Sequence, residues 1–329
     1  MATAIAEAPA KLQFPIIDFA PFLSGDPAAK RRVATAIADA CEGAGFFYLA
    51  QHGISQSELD EIFAQSKRFF ALPLEHRMTV LSNGSRGYRP YGYFQKADSE
   101  KKPNLMEHYI FQADLPADDP DIVAGNHVHA LNKWPDRLPG WREALLHYFH
   151  AVDELSRQLL RAFALAVDLD EAYFLKFFRK PTSAIKLFHY PPQPPASAEE
   201  QVGLGSHFDD TAVTILLQDG VGGLQVERGR GRWLDVTPVP GTFVINIGEV
   251  MARWVNDRFV PTPHRVINLS GRERYSIPFF ALPDYDAVIA CAPTCRGPGN
   301  PPKYPPRPAM FFQSRAFRDR NWQFRHNRS

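Results

Sequence analysis

At 329 residues the chain is long enough for one large domain or two modest ones. Apolar residues make up 45% and charged residues 22%, the balance of an ordinary globular protein. A net charge of +1 gives no electrostatic case for nucleic acid or acidic membranes as partners.

Residues 1–13 show no structural signal and are expected to be disordered or loosely attached. Phe14 to Phe19 (FPIIDF) reads as a strand. Asp26-Pro27 has the form of an N-cap followed by proline at the first helical position. Val33, Ile37, Ala40 and Cys41 carry that helix, at three-to-four spacing, to a stop near Gly43–Gly45. FFYLA, Phe46 to Ala50, predicts an apolar strand ended by His52-Gly53, and Ser55 opens a second helix with Leu59, Ile62, Phe63, Phe69 and Phe70 as its apolar positions. From Ser82 to Ala130 the chain is rich in Gly, Pro, Asp and aromatics, with short strands and loops. So long an irregular stretch is functional or disordered, and its aromatics favour a substrate-facing rim. Gly140 to Leu169 is the longest helical pattern, with Trp141, Leu145, Phe149, Val152, Leu155, Leu159 and Phe163 on one stripe. It predicts a scaffold helix under the sheet, and Asp170 to Phe178 predicts a short helix after it.

After Pro181 short strands alternate with Gly and Pro: AIKLFHY, HFDDTAVTILLQD, GGLQVE, RWLDV, GTFVINIG, HRVIN and RYSIPFFA. This spacing predicts an all-β sandwich or barrel, of which the jelly roll is one form. PGNPPKYPPRP is expected as an arm leading to a terminal segment, SRAFRDRNWQFRHNRS, whose interleaved aromatics suggest docking on the body. Cys41, Cys291 and Cys295 cannot make a disulfide framework. No second Cys or His pair accompanies Cys291 and Cys295, so free thiols are expected rather than a metal pair. No apolar run of about 18 residues and no signal-peptide core is found, so a cytoplasmic protein is expected.

The chemistry concentrates between Gly203 and Phe280. His207 and Asp209 are separated by one residue, and on a strand residues i and i+2 face the same way. Asp210 is excluded by that period of two. With His264 from a second strand they make two imidazoles and one carboxylate, a facial set that suits Fe(II) and leaves the opposite positions open. Arg274 and Ser276 repeat the i, i+2 spacing; a guanidinium forks onto a carboxylate and a hydroxyl adds another bond. His52, His129 and His189 have structural readings at least as good as functional ones.

The pattern H-x-D, a later histidine and R-x-S resembles the Fe(II)- and 2-oxoglutarate-dependent dioxygenases, in the isopenicillin N synthase-like branch. FPIIDF and GFFYLAQHGI look like the branch's N-terminal region, and LFHYPPQP, GGLQV and INIGEVMARWVND look like its core. The resemblance implies a mainly β fold with flanking helices around a double-stranded β-helix (jelly-roll) core. It divides the chain into a disordered 1–13, an N-terminal region 14–179 with scaffold helices, a core 180–290 and a C-terminal arm and helix 291–329, all in one integrated fold. It implies Fe(II), 2-oxoglutarate as co-substrate, O₂, and ascorbate as an activator in vitro. The expected reaction is oxidation of a C–H bond of a small molecule by hydroxylation, desaturation or ring formation, with succinate and CO₂ as co-products. The partner set is a small-molecule substrate, such as an amino-acid derivative or secondary metabolite, with no nucleic acid, no membrane and a monomer by default.

By the same resemblance Arg274 and Ser276 hold the distal carboxylate of 2-oxoglutarate, and Tyr190 adds a hydrogen bond to it. Asn246 either supports that pocket or caps a turn. Phe280 lies six residues past Arg274, on its strand face, where relatives stack an aromatic on substrate; Tyr91 and Phe94 of the rim are the candidates for the other wall. Phe208 stands where relatives carry a small polar residue and reads as packing; Lys186 stands where an Arg is common. NLMEHYIF departs from the commoner acidic-aromatic version. Two rivals remain open: a 2-oxoglutarate-independent Fe(II) oxidase or cyclase of the isopenicillin N synthase or aminocyclopropane carboxylate oxidase type, in which R-x-S binds a substrate carboxylate, and a non-catalytic metabolite-binding relative.

Overall fold

The computed structural model describes residues 14–82, 84–93, 104–126, 128–192, 202–229 and 231–313. Both helix starts written into the N-terminal sequence form. β1 (Ile16–Asp18) and the short α1 (Ala20–Leu23) lead to α2 (Pro27–Gly43), whose N-cap Asp26 accepts a hydrogen bond from Ala29 N at 2.7 Å. β2 (Phe46–Ala50) follows Gly45, which has φ +69° and where an added Cβ would stand 1.9 Å from the Val260 carbonyl oxygen, so glycine is required. α3 (Gln56–Phe70) opens with a capping box: Ser55 Oγ accepts from Glu58 N at 3.3 Å and Glu58 Oε2 accepts from Ser55 N at 2.9 Å.

α4 (Leu74–Met78), β3 (Gly87–Arg89), β4 (Glu107–Phe111) and α5 (Pro120–Val123) come next. α6 (Trp141–Ala166) then runs 26 residues and buries the whole predicted stripe from Trp141 to Phe163. Beyond it lie β5 (Ala184–Tyr190), β6 (Leu204–His207), β7 (Val213–Gln218), β8 (Leu224–Glu227), β9 (Trp233–Asp235) and β10 (Phe243–Ile247). α7 (Glu249–Trp254), β11 (His264–Val266), β12 (Arg274–Ala281), β13 (Val288–Ile289), β14 (Arg307–Pro308) and α8 (Ala309–Phe312) complete the described chain.

Eight strands form a major sheet in the order β1-β2-β10-β7-β12-β5-β4-β3, and four form a minor sheet, β6-β11-β8-β9. The β1–β2 pairing is parallel, and the other pairings of both sheets are antiparallel. One face of the major sheet carries Ile215, Leu217, Ile277 and Phe279 into a core shared with α2, α3 and α6. The other face carries Phe46, Tyr48, Phe188, Tyr190, Leu216 and Val244 toward Leu224, Val226 and Val266 of the minor sheet. Because side chains alternate along a strand, one sheet serves both cores. This is the expected mainly β architecture with flanking helices. Among the described residues no helix is long and apolar enough to cross a membrane.

Two expectations change. HFDDTAVTILLQD is not one strand: β6 ends at His207 in the minor sheet and β7 starts at Val213 in the major sheet. The intervening residues cross between sheets, so the period of two is not what positions Asp209. The Asp170–Phe178 helix reduces to a turn and a 3₁₀ segment, Leu175–Phe177. Asp170 Oδ1 accepts from Ala172 N at 2.9 Å, and the rings of Phe174, Phe177 and Phe178 pack on Trp254 at 4.9, 5.2 and 6.3 Å. Tertiary packing outweighs helix propensity there. The expectations for residues 1–13 and for the terminal segment 314–329 lie outside the described residues.

Candidate active site

His207 closes β6 and His264 opens β11, and the two are directly opposite in the antiparallel pairing. Their rings lie 4.3 Å apart between centroids, and Phe46 packs edge-on to His264 at 5.6 Å. Asp209, two residues past the end of β6, turns Oδ1 to within 3.7 Å of His207 Nε2 and 3.8 Å of His264 Nε2. One donor atom from each of the three lies within 4.8 Å of the other two, and Asp210 is not among them.

Each donor is oriented from behind. His207 Nδ1 donates to Gly205 O at 2.9 Å and His264 Nδ1 donates to Thr262 O at 3.2 Å. A carbonyl only accepts, so both rings carry the Nδ1 proton and present an Nε2 lone pair to the shared space. Asp209 Oδ2 accepts from Thr214 Oγ1 at 2.6 Å and from Asn246 Nδ2 at 2.7 Å, which leaves Oδ1 to face the imidazoles. The Asp209 backbone is fixed as well, since its carbonyl accepts from Glu249 N at 2.9 Å at the start of α7.

The electrostatics favour a neutral His207 and an ionised Asp209. Loss of water, then the neighbouring His264, pulls His207 down to about 4. Burial alone would raise Asp209, but the adjacent imidazoles and the Thr214 and Asn246 hydrogen bonds outweigh it and hold the carboxyl below its ordinary value. Two neutral imidazole nitrogens and one carboxylate oxygen on one side of a common point fit a divalent transition metal with open positions opposite. The donor set therefore passes the test for iron.

Arg274 begins β12 on the face that also carries Ser276 and Phe280. Its guanidinium is almost wholly buried, at 1% exposed. Nε donates to Gly222 O at 2.6 Å and Nη1 to Ser276 Oγ at 3.1 Å, and the Tyr190 ring lies 4.8 Å away. Among the described residues no carboxylate pairs with it. A buried cation held by neutral partners is costly unless an anion completes the site. Tyr190, opposite Arg274 in the strand register, is raised by burial and partly relieved by the Arg274 charge. Gly203 approaches so closely that an added Cβ would stand 2.9 Å from Tyr190 Cδ1.

The remaining sequence candidates separate. Asn246 sits mid-strand in β10 with its amide on Asp209, so it neither caps a turn nor joins the Arg274 pair. Phe280 shares the Arg274 face and is half-buried. Tyr91 turns its hydroxyl to His189 Nδ1 at 3.3 Å, on the face of β5 opposite to Tyr190, away from the metal-facing side. Phe94 lies outside the described residues. His189 pairs with Glu107 at 2.8 Å and His52 packs on Phe243 at 4.5 Å, while His129 lies 3.9 Å from Asp121. Thr214 escapes the motif reading, although a hydroxyl among the apolar residues of β7, like the amide in FVINI, is a readable irregularity.

Two family models match the chain: "non-haem dioxygenase in morphine synthesis N-terminal" over residues 14–137 and "2OG-Fe(II) oxygenase superfamily" over residues 181–283. The 2-oxoglutarate-Fe(II) type oxidoreductase hxnY of Emericella nidulans is 40% identical over 300 residues, covering 89% of this chain and 86% of that protein. A full-length Neurospora crassa protein, solved in complex with alpha-KG, superposes with a TM-score of 0.82 at 31% identity, covering 94% of this chain and 96% of that one. JOX2, solved with 2OG, Fe and JA, gives a TM-score of 0.76 at 29% identity, covering 93% and 86%.

Proposed function

The chain belongs to the 2OG-Fe(II) oxygenase family, and from that premise we propose that His207, Asp209 and His264 hold the iron and that Arg274, Ser276 and Tyr190 hold 2-oxoglutarate. The protein is an Fe(II)- and 2-oxoglutarate-dependent dioxygenase acting on a small molecule. The Neurospora crassa protein has also been solved with thymine, and JOX2 with JA, which supports a small organic substrate here. Near-neutral charge supports the absence of nucleic acid and membrane partners, and we take a cytoplasmic monomer as part of this reading. The matched spans support a division into an N-terminal region, 14–179, and a core, 180–290.

The observation that carries the assignment is the juxtaposition of the buried Arg274 guanidinium with a two-imidazole, one-carboxylate face between the same two sheets. When bound, iron supplies the redox chemistry by which one O₂ converts 2-oxoglutarate to succinate and CO₂ and oxidises a substrate C–H bond. The residues supply placement. His207 and His264 give Nε2 lone pairs whose direction is set by the Gly205 and Thr262 carbonyls. Asp209 contributes Oδ1 while Thr214 and Asn246 occupy Oδ2. Arg274 and the Ser276 hydroxyl receive the distal carboxylate away from water, with Tyr190 alongside. An Fe(II) oxidase or cyclase would use the same metal face with a substrate carboxylate on Arg274; the 2-oxoglutarate bound in the relatives favours the co-substrate reading.

The test is succinate formation and O₂ uptake by purified protein with Fe(II), ascorbate and 2-oxoglutarate, without prime substrate. Slow succinate release is expected, abolished in His207→Ala and lost at ordinary 2-oxoglutarate concentrations in Arg274→Ala. Iron binding without 2-oxoglutarate affinity would transfer the protein to the oxidase-cyclase reading, and absence of iron binding would refute the ligand assignment.

A further inference from the structure

β7 and β12 pair in register as far as Gln218 and Ser276, and Asp219 carries the contact one residue further. Its N–H donates to Tyr275 O at 3.2 Å, and its Oδ2 accepts from Tyr275 N at 2.6 Å. The backbone of the residue next to Arg274 is thus held through both of its polar groups. Asp219 Oδ1 is engaged too, accepting from Val221 N at 3.0 Å and closing the turn toward Gly222. Gly222 O is the acceptor for Arg274 Nε, at 2.6 Å. The far side of the turn is fixed as well. Gly223 O accepts from Ile267 N at 2.9 Å, and an added Cβ on Gly223 would stand 2.5 Å from Ile267 O. One half-buried carboxylate therefore joins the strand that carries Arg274 to the turn that holds its guanidinium.

Resting on the assignment of Arg274 to 2-oxoglutarate, we propose that Asp219 is a positioning residue for the co-substrate, touching neither it nor the metal and acting through Arg274. A guanidinium receives a carboxylate well only when its fork is aimed, because two parallel N–H···O bonds must both be met. The fork is aimed by Nε on Gly222 and Nη1 on Ser276, so a shift of either support turns the other N–H groups. β12 also lies between β5 and β7, with Arg274 opposite Tyr190 and Tyr275 opposite His189. Releasing the Tyr275 backbone from Asp219 would move Arg274 against Tyr190 as well as against Gly222. The position calls for a carboxylate, since two N–H groups have to be met and both carboxylate oxygens accept. An amide of the same shape offers one oxygen and one NH₂, which leaves the N–H of Tyr275 or of Val221 facing a donor. A charge-assisted bond is worth on the order of tenfold in an equilibrium constant, which sets the scale of the effect.

The experiment measures equilibrium binding to the Mn(II)-loaded full chain by calorimetry. The probes are 2-oxoglutarate and 2-oxovalerate, which has the same chain length and no distal carboxylate. Wild type, Asp219→Asn, Asp219→Ser, Arg274→Lys and the double variant of Asp219→Asn with Arg274→Lys are compared. Asp219→Asn is expected to weaken 2-oxoglutarate about tenfold, with 2-oxovalerate and Mn(II) affinities as in wild type. Asp219→Ser, whose hydroxyl keeps the turn bond and does not reach Tyr275, is expected to act in the same direction. In the Arg274→Lys background, which lacks the Nε–H, Asp219→Asn should change little. Unchanged 2-oxoglutarate affinity in both Asp219 variants would overturn the proposal. So would equal weakening of the two oxo acids or of Mn(II), or an undiminished effect on top of Arg274→Lys. A wild type that binds both oxo acids alike would instead refute the Arg274 assignment on which the proposal rests.

Discussion

Asp209 divides its two oxygens between tasks, and the division comes from its neighbours. Thr214 and Asn246 saturate Oδ2, so Oδ1 would meet an ion in one orientation. Partners behind a ligand are commonly worth about 10- to 100-fold in metal affinity. Thr214→Val should weaken Fe(II) or Mn(II) binding by that order in equilibrium titration, with Thr214→Ser close to wild type; equal affinity in the Val variant would mean that the hydroxyl does not orient the ligand. Arg274→Lys keeps the charge and removes the fork. It should raise the KM for 2-oxoglutarate more than tenfold with a smaller change in kcat, and an unchanged KM would place the co-substrate carboxylate elsewhere.

At the scale of elements, the loop that delivers Asp209 is held by the start of α7 rather than by a strand of its own. Glu249 N and Val250 N donate to the carbonyls of Asp209 and Thr211 at 2.9 and 3.0 Å, and Gly248 packs so tightly that an added Cβ would lie 2.2 Å from Thr211 O. Gly248→Ala should therefore lower both thermal stability and metal affinity, seen in melting curves and the same titration; a stable variant with wild-type affinity would show that the loop adjusts freely. By contrast, Ser55→Ala removes one half of a capping box remote from the site and should cost about 1 kcal/mol in urea denaturation without changing metal binding. These elements also show what sequence can carry. Local signals reproduce Asp26-Pro27, Ser55 and the Trp141–Phe163 stripe, because caps and apolar periodicity act within a few residues. His207, His264 and the Arg274–Ser276 pair are readable as motifs. The sheet-to-sheet crossing at residues 208–212 is not, because it is fixed by α7 backbone groups far along the chain. Tyr91 misleads for a similar reason: composition marks the rim as aromatic but does not say which face of β5 each ring reaches.

For the molecule as a whole, acid bears on three histidines away from the metal face. Burial lowers His52, His129 and, most strongly, His108, whose neighbours Lys186 and Arg89 push the same way. A depressed imidazole contributes stability that is complete above the unfolded value of 6.5 and is lost as pH falls from there toward the folded value. The melting temperature should accordingly be level above about pH 7 and decline from about pH 6.5 to 5, and His108→Gln should flatten that decline; a flat wild-type profile would remove these residues from the account. The two sheets also differ in how firmly they are made. The major sheet is clamped between two apolar cores, whereas the minor sheet has strands of three or four residues, many half-buried. His207 and His264 face each other across two of those short strands, so an ion bound between them is a rivet through the weaker layer. Amide hydrogen exchange in β6 and β11 would then slow on metal loading while the strands of the major sheet exchange as before, and a chelator would loosen one layer of the protein and leave the other closed.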